Sequence, residues 1–365
     1  MRRLALLGLV LLSACGTQQN AVSSTKPPST SPRSTPFASA SPSELAGDLP
    51  AIDTVTNNRG DIRQAGGFIH FPGGAFTTDP AAQMVQDATT HAWKTAARPY
   101  LFGFSDSGMG RITYDRAAGR WLPVSRAQIS PDGLHYAYAE AVFPPSAGAQ
   151  PGPGPFATGG RVHLVDVQTG SDRVVFSHTG APFYTIAGHT NHGIYLSAAC
   201  VEGCGRDGLK LWSLDVATST LTKVSDRQGF NWLIDDKAAW VATYEGSNQL
   251  GTRPSHLLRV DLISRQETIW LTASGMELIG LDAERNPLVT LNDVAGSALI
   301  RVTAPQQSEK LFSGPSNGQL STAVADQVGT WLGGGQSGDQ GIYLYTASGV
   351  RKVTDFPGIP LGPLR

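Results

Sequence analysis

The side chains with the most chemical reach in this 365-residue sequence are three cysteines, two closely spaced histidines and a recurring set of aspartates. Cys200 and Cys204 lie in Ala198-Ala199-Cys200-Val201-Glu202-Gly203-Cys204-Gly205. Two thiols four residues apart, with a glycine between them, can close a small disulfide loop in an oxidising compartment. Free thiols and metal ligation stay open as alternatives. The metal reading is the weaker, because no second Cys or His pair at ligand spacing accompanies them. His189 and His192 in Gly188-His189-Thr190-Asn191-His192-Gly193 offer two imidazoles without a third ligand. They fall where a turn would place polar residues and glycine in any case, so no metal and no cofactor is expected. Neither the zinc-protease motif His-Glu-x-x-His nor a P-loop occurs, and no catalytic constellation is assigned.

The third thiol, Cys15, sits in a different setting. Met1-Arg2-Arg3 is followed by an apolar run from Leu4 to Leu12, the layout of an export signal. That run is shorter than the roughly 20 residues a membrane-spanning helix needs. It ends in Leu12-Ser13-Ala14-Cys15-Gly16, which resembles the bacterial lipobox. The resemblance implies removal of residues 1–14, thioether diacylation of Cys15, and anchoring on the extracytoplasmic side of the cell membrane. Two or three acyl chains hold a protein stably, where one does so marginally. Residues 15–49 then read as a disordered tether: Ser, Thr, Pro and Ala dominate, with Lys26-Pro27-Pro28-Ser29-Thr30-Ser31-Pro32 as the densest part.

The remaining segment, 50–365, must supply the fold. Its charge gives little away: the chain carries 28 Lys and Arg against 29 Asp and Glu, scattered along its length. Without a basic stripe, nucleic acid is excluded as a partner. Charged residues make up only 16%, while glycine is abundant at 42 residues, which fits short strands joined by many tight turns.

A repeat organises these strands. Arg111-Ile112-Thr113-Tyr114-Asp115 with Arg120-Trp121-Leu122, and Val162-His163-Leu164-Val165-Asp166 with Arg173-Val174-Val175-Phe176, show its form: a β-rich run ending in a polar residue, a turn, and a second run. The markers fall at 115, 166, 215, 261, 303 and 346, at spacings of 51, 49, 46, 42 and 43 residues. Propeller blades of four strands repeat at roughly 40–50 residues. Two further strand-like runs lie between successive hairpins, such as 230–234 and 239–243. One inner hairpin carries Ser130-Pro131-Asp132-Gly133 before His135-Tyr136-Ala137-Tyr138, and Asp-Gly is a strong hairpin signal. This stretch resembles the repeat of TolB-like and WD-like β-propellers. Asp235, Asp282 and Asp326 occupy similar places without the surrounding motif.

The expectation is therefore an all-β chain: one β-propeller of six blades, with seven as the alternative. The segment from Met84 to Trp93 reads as an extra hairpin in an elongated first blade. Ring closure calls for a strand from one terminus, with Phe68-Ile69-His70-Phe71 and 356–364 as candidates. Asp115, Asp166, Asp215 and Asp261 should cap turns by accepting backbone N–H groups. Spread around a ring, they cannot meet. Trp212, Trp232, Trp240, Trp270 and Trp331 should mostly pack between blades. The Pro- and Gly-rich loop 143–160 should protrude from one face. In function, this points to a membrane-anchored binding or scaffolding module for an unknown protein or glycan. A glycan-active propeller enzyme with its site at the central channel is the alternative, and a solute- or metal-binding accessory protein a third reading.

Overall fold

The computed structural model describes residues 45–56, 62–86, 93–95, 112–142, 158–198, 210–243, 256–292, 296–314, 320–334 and 340–365. Cys15, Cys200, Cys204, most of the expected tether and residues 143–157 of the expected protruding loop lie outside the described residues.

The architecture is a six-bladed β-propeller, seen directly in the strand pairing. Blade 1 contains β1 (Gly47–Thr56), β2 (Ile62–Phe71), β3 (Ala75–Gln86) and the short β4 (Trp93–Thr95). A separate two-stranded hairpin follows, β5 (Thr113–Asp115) with β6 (Arg120–Leu122). Blade 2 is β7 (His135–Val142), β8 (Gly159–Asp166) and β9 (Asp172–Thr179), with Ile129 bridged to Tyr136 at its inner edge. Blade 3 is β10 (Tyr184–Thr190), β11 (Gly193–Ala198), β12 (Leu211–Asp215) and β13 (Thr220–Ser225). Blade 4 is β14 (Gly229–Ile234), β15 (Ala238–Thr243), β16 (His256–Asp261) and β17 (Glu267–Thr272). Blade 5 is β18 (Met276–Leu281), β19 (Pro287–Asn292), β20 (Ser297–Ala304) and β21 (Gln307–Gly314). Blade 6 is β22 (Leu320–Ala325), β23 (Thr330–Gly334), β24 (Gly341–Thr346) and β25 (Gly349–Thr354). The last strand, β26 (Ile359–Pro360), returns to pair with β1 and closes the ring. Of the two closure candidates, then, the C-terminal one performs the task, and Phe68–Phe71 lies inside blade 1 on β2.

Six blades arise in a way the marker spacing does not anticipate. Met84 and Gln86 pair with Thr95 and Trp93, so this hairpin does extend blade 1. The Asp115 hairpin, however, does not complete a four-stranded blade. It stands as a two-stranded sheet against blade 1, where Tyr114 and Trp121 pack on Ile52, Phe68 and Ile359. Its continuation, Leu122 and Val124, packs on Ile129, Tyr136 and Val165 of blade 2.

The blades are strand-forming because β-branched, aromatic and leucine residues alternate between two faces that pack on neighbouring blades. Blade 2 meets blade 3 through Val162, Leu164 and Val175 against Ile194, Leu196 and Trp212. Blade 6 meets blade 1 through Trp331, Ile342 and Leu344 against Leu49, Ile69 and Phe71.

The first strand of each full blade lies nearest the axis: β10 touches β14, β14 touches β18, β18 touches β22, and β22 touches β26. These inner strands share one direction. The tight turns after first and third strands therefore gather at one end of the ring. The connections between second and third strands, and those between blades, leave from the other end.

All four full blades bulge in the inner strand, at Ile186/Gly188, Phe230/Leu233, Leu278/Gly280 and Leu320/Thr322. Two of these bulges need glycine because the strands converge. A Cβ on Gly188 would lie 2.5 Å from Ile234 Cβ, and one on Gly280 would lie 2.5 Å from Ala323 Cβ. Gly280→Val should destabilise the fold by about 1–3 kcal/mol through overpacking. Urea denaturation measures this; an unchanged midpoint would show that the inner strands can separate without loss.

Candidate functional site

The recurring aspartates are turn caps. Asp115 Oδ1 accepts from the Ala118 N–H at 2.7 Å, Asp166 Oδ1 from Thr169 at 2.7 Å, Asp215 Oδ1 from Ala217 at 2.8 Å, and Asp261 Oδ1 from Ser264 at 2.9 Å. Asp235, Asp282 and Asp326 do the same at inner turns, accepting from Lys237, Asn286 and Val328, each at 2.7 Å. The backbone donors hold the Asp166, Asp215 and Asp261 carboxyls below the usual range. Asp132 is held low first by the Ser130 hydroxyl, which donates to it at 2.5 Å. These anions each serve a local turn.

His189 lies on β10, and burial pushes its imidazole down, favouring the neutral ring. His192 sits in the following turn, where its N–H donates to Thr190 Oγ1 at 3.0 Å. Among the described residues, no group of three or more His, Cys, Asp or Glu could hold a metal ion. Trp212, Trp232, Trp240, Trp270 and Trp331 pack between blades as expected. Trp240 meets Trp270 edge-on at 4.6 Å, and Trp331 stacks on Phe71 while its Nε1 donates to Asp326 Oδ2 at 2.7 Å. Trp212 and Trp232 belong to the cores on either side of blade 3.

Gly314-Pro315-Ser316-Asn317-Gly318 has the residue order of a nucleophile elbow. It joins strand β21 to strand β22, whereas the elbow needs a strand-to-helix turn. Residues 315–319 lie outside the described residues.

Two features escaped the sequence reading. The first is a polar network on the blade 2 face that looks toward the β5–β6 hairpin. In other blades, the cross-strand pair at this depth is Leu196–Trp212, Val241–Leu258, Val289–Ile300 or Leu332–Tyr343. In blade 2 it is Tyr138–His163, followed by Glu140–Arg161. His163 Nδ1 is 2.9 Å from Asp172 Oδ1, and its Nε2 is 3.2 Å from Glu140 Oε2. Tyr138 stacks on the His163 ring at 4.4 Å and donates its hydroxyl to Asp172 Oδ2 at 2.7 Å. Arg161 Nη1 lies 3.6 Å from Glu140. The hairpin explains the exception: Leu122 and Val124 cover this face only beside Tyr136 and Val165, nearest the turns. Farther up the blade, Glu140 and Arg161 keep side-chain exposures of 42% and 48%, so the face meets solvent with one anion and one cation. A sequence signal existed in Tyr138, where the repeat otherwise places Leu or Val, and in His163, where it otherwise places Leu, Ile or a large aromatic.

The second feature is Glu277 on the inner strand β18, directly across from Thr290. Burial raises its carboxyl above the ordinary glutamate range. Thr290 is itself buried, and its Oγ1 finds no hydrogen-bond partner. Burial thus favours the neutral carboxyl relative to an exposed glutamate.

No family model matches the chain, and no curated protein matches it by sequence. Solved structures do resemble it in fold. TolB from Acinetobacter baumannii is 11% identical, with a TM-score of 0.41, covering 85% of this chain and 78% of its own. Oligogalacturonate lyase in complex with manganese is 12% identical, with a TM-score of 0.42 and coverages of 87% and 86%. A cobalt-substituted apocarotenoid oxygenase from Synechocystis is 13% identical, with a TM-score of 0.37 over 72% of this chain. The chain spans 60% of that oxygenase's length.

Glu277 generates a pH prediction. A raised carboxyl contributes its full stability below the unfolded pKa of about 4.3, and loses it as pH rises through the folded value. Glu277→Gln removes the ionisation while keeping the shape. The variant should gain stability relative to the parent between pH 4 and pH 7, read as a growing difference in urea midpoint. A difference independent of pH would refute the buried-acid assignment.

Proposed function

We propose that this protein is a lipid-anchored, extracytoplasmic protein whose propeller is a non-catalytic binding or scaffolding module. The observation that carries the binding role is the blade 2 face. There an inter-blade surface that is apolar elsewhere presents Tyr138, Glu140, Arg161, His163 and Asp172. Hydrogen-bonded side chains of both charges, with an aromatic stack at their centre, suit a polar protein or glycan partner better than a sixth apolar seam. The anchoring role draws on Leu12-Ser13-Ala14-Cys15, with diacylation at Cys15 and the chain from Thr17 to Glu44 as tether, five residues shorter than the sequence suggested because Leu45 and Leu49 are buried in the core beside blade 6.

The binding role is tested by capture from solubilised membranes with the full-length anchored protein. Partners retained by the parent should be lost from the Glu140→Ala/Arg161→Ala double variant while its circular dichroism is unchanged. Equal retention by both proteins would count against this face. For the anchor, Cys15→Ser should leave the protein unprocessed or move it out of the membrane fraction. Normal processing and retention would remove the basis for the lipid.

A second reading, an enzyme acting on glycans from the central channel, draws on Glu277. A carboxyl on an inner strand whose titration burial shifts upward is suited to serve as a general acid. Glycoside hydrolysis usually asks for a second carboxyl on the other side of the scissile bond.

A further inference from the structure

Closure of the ring lines up three side chains of blade 1. Asp48 on β1 pairs with His70 on β2, and Asp48 Oδ1 is 2.5 Å from His70 Nδ1. Across the imidazole, His70 Nε2 is 2.6 Å from Thr77 Oγ1 on β3. The other Asp48 oxygen accepts from Arg365 Nε at 3.2 Å and Nη2 at 3.0 Å. Arg365 is itself held: its guanidinium lies 3.8 Å from the Phe68 ring centre, and its Nη1 donates to the Tyr114 hydroxyl at 3.0 Å.

The protonation pattern follows. Partial burial alone would raise the Asp48 carboxyl, but hydrogen bonds from His70 and Arg365 outweigh it and the net shift is downward. Asp48 is therefore an acceptor, so His70 Nδ1 carries the hydrogen toward it. In the neutral ring with that tautomer, Nε2 presents its lone pair and accepts from the Thr77 hydroxyl. A hydroxyl hydrogen-bonded to a base that is oriented by a carboxylate is the arrangement that activates serine and threonine nucleophiles. The site is open to solvent: the His70 side chain is 42% exposed and Thr77 is exposed.

We propose that Asp48, His70 and Thr77 form an acyl-accepting site, in which Thr77 takes the acyl group of an activated ester. Thr77 Oγ1 bonds to the ester carbonyl carbon as its proton passes to His70 Nε2. The bond from that carbon to the leaving oxygen breaks, and the leaving alkoxide or phenoxide takes the proton from His70. The products are an O-acyl-Thr77 and a free alcohol or phenol, with no change in oxidation state. Thr77 is the nucleophile and His70 its base in a single-turnover acylation; Asp48 and Arg365 are positioning residues. This reactivity is separate from the binding role of the blade 2 face, and neither requires the other.

The test uses the full chain and p-nitrophenyl acetate. The expected result is a burst of p-nitrophenolate approaching one per chain, with the acetyl group mapped to Thr77 by peptide mass spectrometry. T77S should retain the labelling. H70Q should slow it by about 100-fold, the lower range for removing a general base. T77V preserves the shape of the strand and the Asp48–His70 pair, and should abolish the adduct with its circular dichroism unchanged. Acetylation confined to lysines, or a Thr77 adduct that forms equally fast in H70Q, would overturn the proposal. Should H70Q fail to fold, the comparison of T77S with T77V decides alone: no burst in folded T77S overturns the proposal.

Discussion

The pairing of the last strand with the first is the constraint on which the remaining structure depends. The Asp48 N–H donates to the Arg365 carbonyl at 3.1 Å, the Arg365 N–H returns to the Asp48 carbonyl at 3.0 Å, and the Leu361 N–H reaches the Pro50 carbonyl at 2.8 Å. These bonds join positions more than 300 residues apart in sequence. Blade 1 buries one face on blade 6 and the other on the hairpin, so a ring left open would expose one of them and strand its partner. Leu361 in the core between blade 1 and the hairpin, and Leu364 in the core between blades 1 and 6, show the closing segment contributing to both sides at once. Arg365 adds a charged clasp on Asp48, and through it the closure reaches His70.

Much of this architecture is legible in the chain, because a propeller repeats its instructions. Asp166, Asp215 and Asp261 mark turns with the same local chemistry, and local chemistry survives transfer from sequence to structure. The hairpin of Asp115 has the same signature but a different fate. Nothing within it reveals that it will stand alone as two strands; that depends on its neighbours in the ring. Trp212, Trp232, Trp240, Trp270 and Trp331 were equally readable as inter-blade packing, since a large indole on an alternating strand finds its burial in the adjacent sheet.

The polar features were harder to see for the same reason in reverse. His163, Glu140 and Asp172 are unremarkable as a string, and their meeting requires the register of three strands. Asp48, His70 and Thr77 are separated by 22 and 7 positions and come together only once β1, β2 and β3 are paired. Glu277 resembles any glutamate until the inner strands converge and remove its water. Short-range patterns therefore named the turns and the core, while side chains converging across strands depended on distances that no local pattern encodes.

The shared direction of the inner strands gives the ring two ends with different evolutionary freedoms. At the turn end, the connections are a few residues long and most carry an aspartate committed to backbone donors, so insertions there would break caps. The opposite end carries the connections between second and third strands, which differ in length from blade to blade and sit outside the repeated hairpins. Each can lengthen or change composition while the blade beneath it stays in register. New specificity can thus be acquired sector by sector on one rim, with the other rim serving as an inherited template.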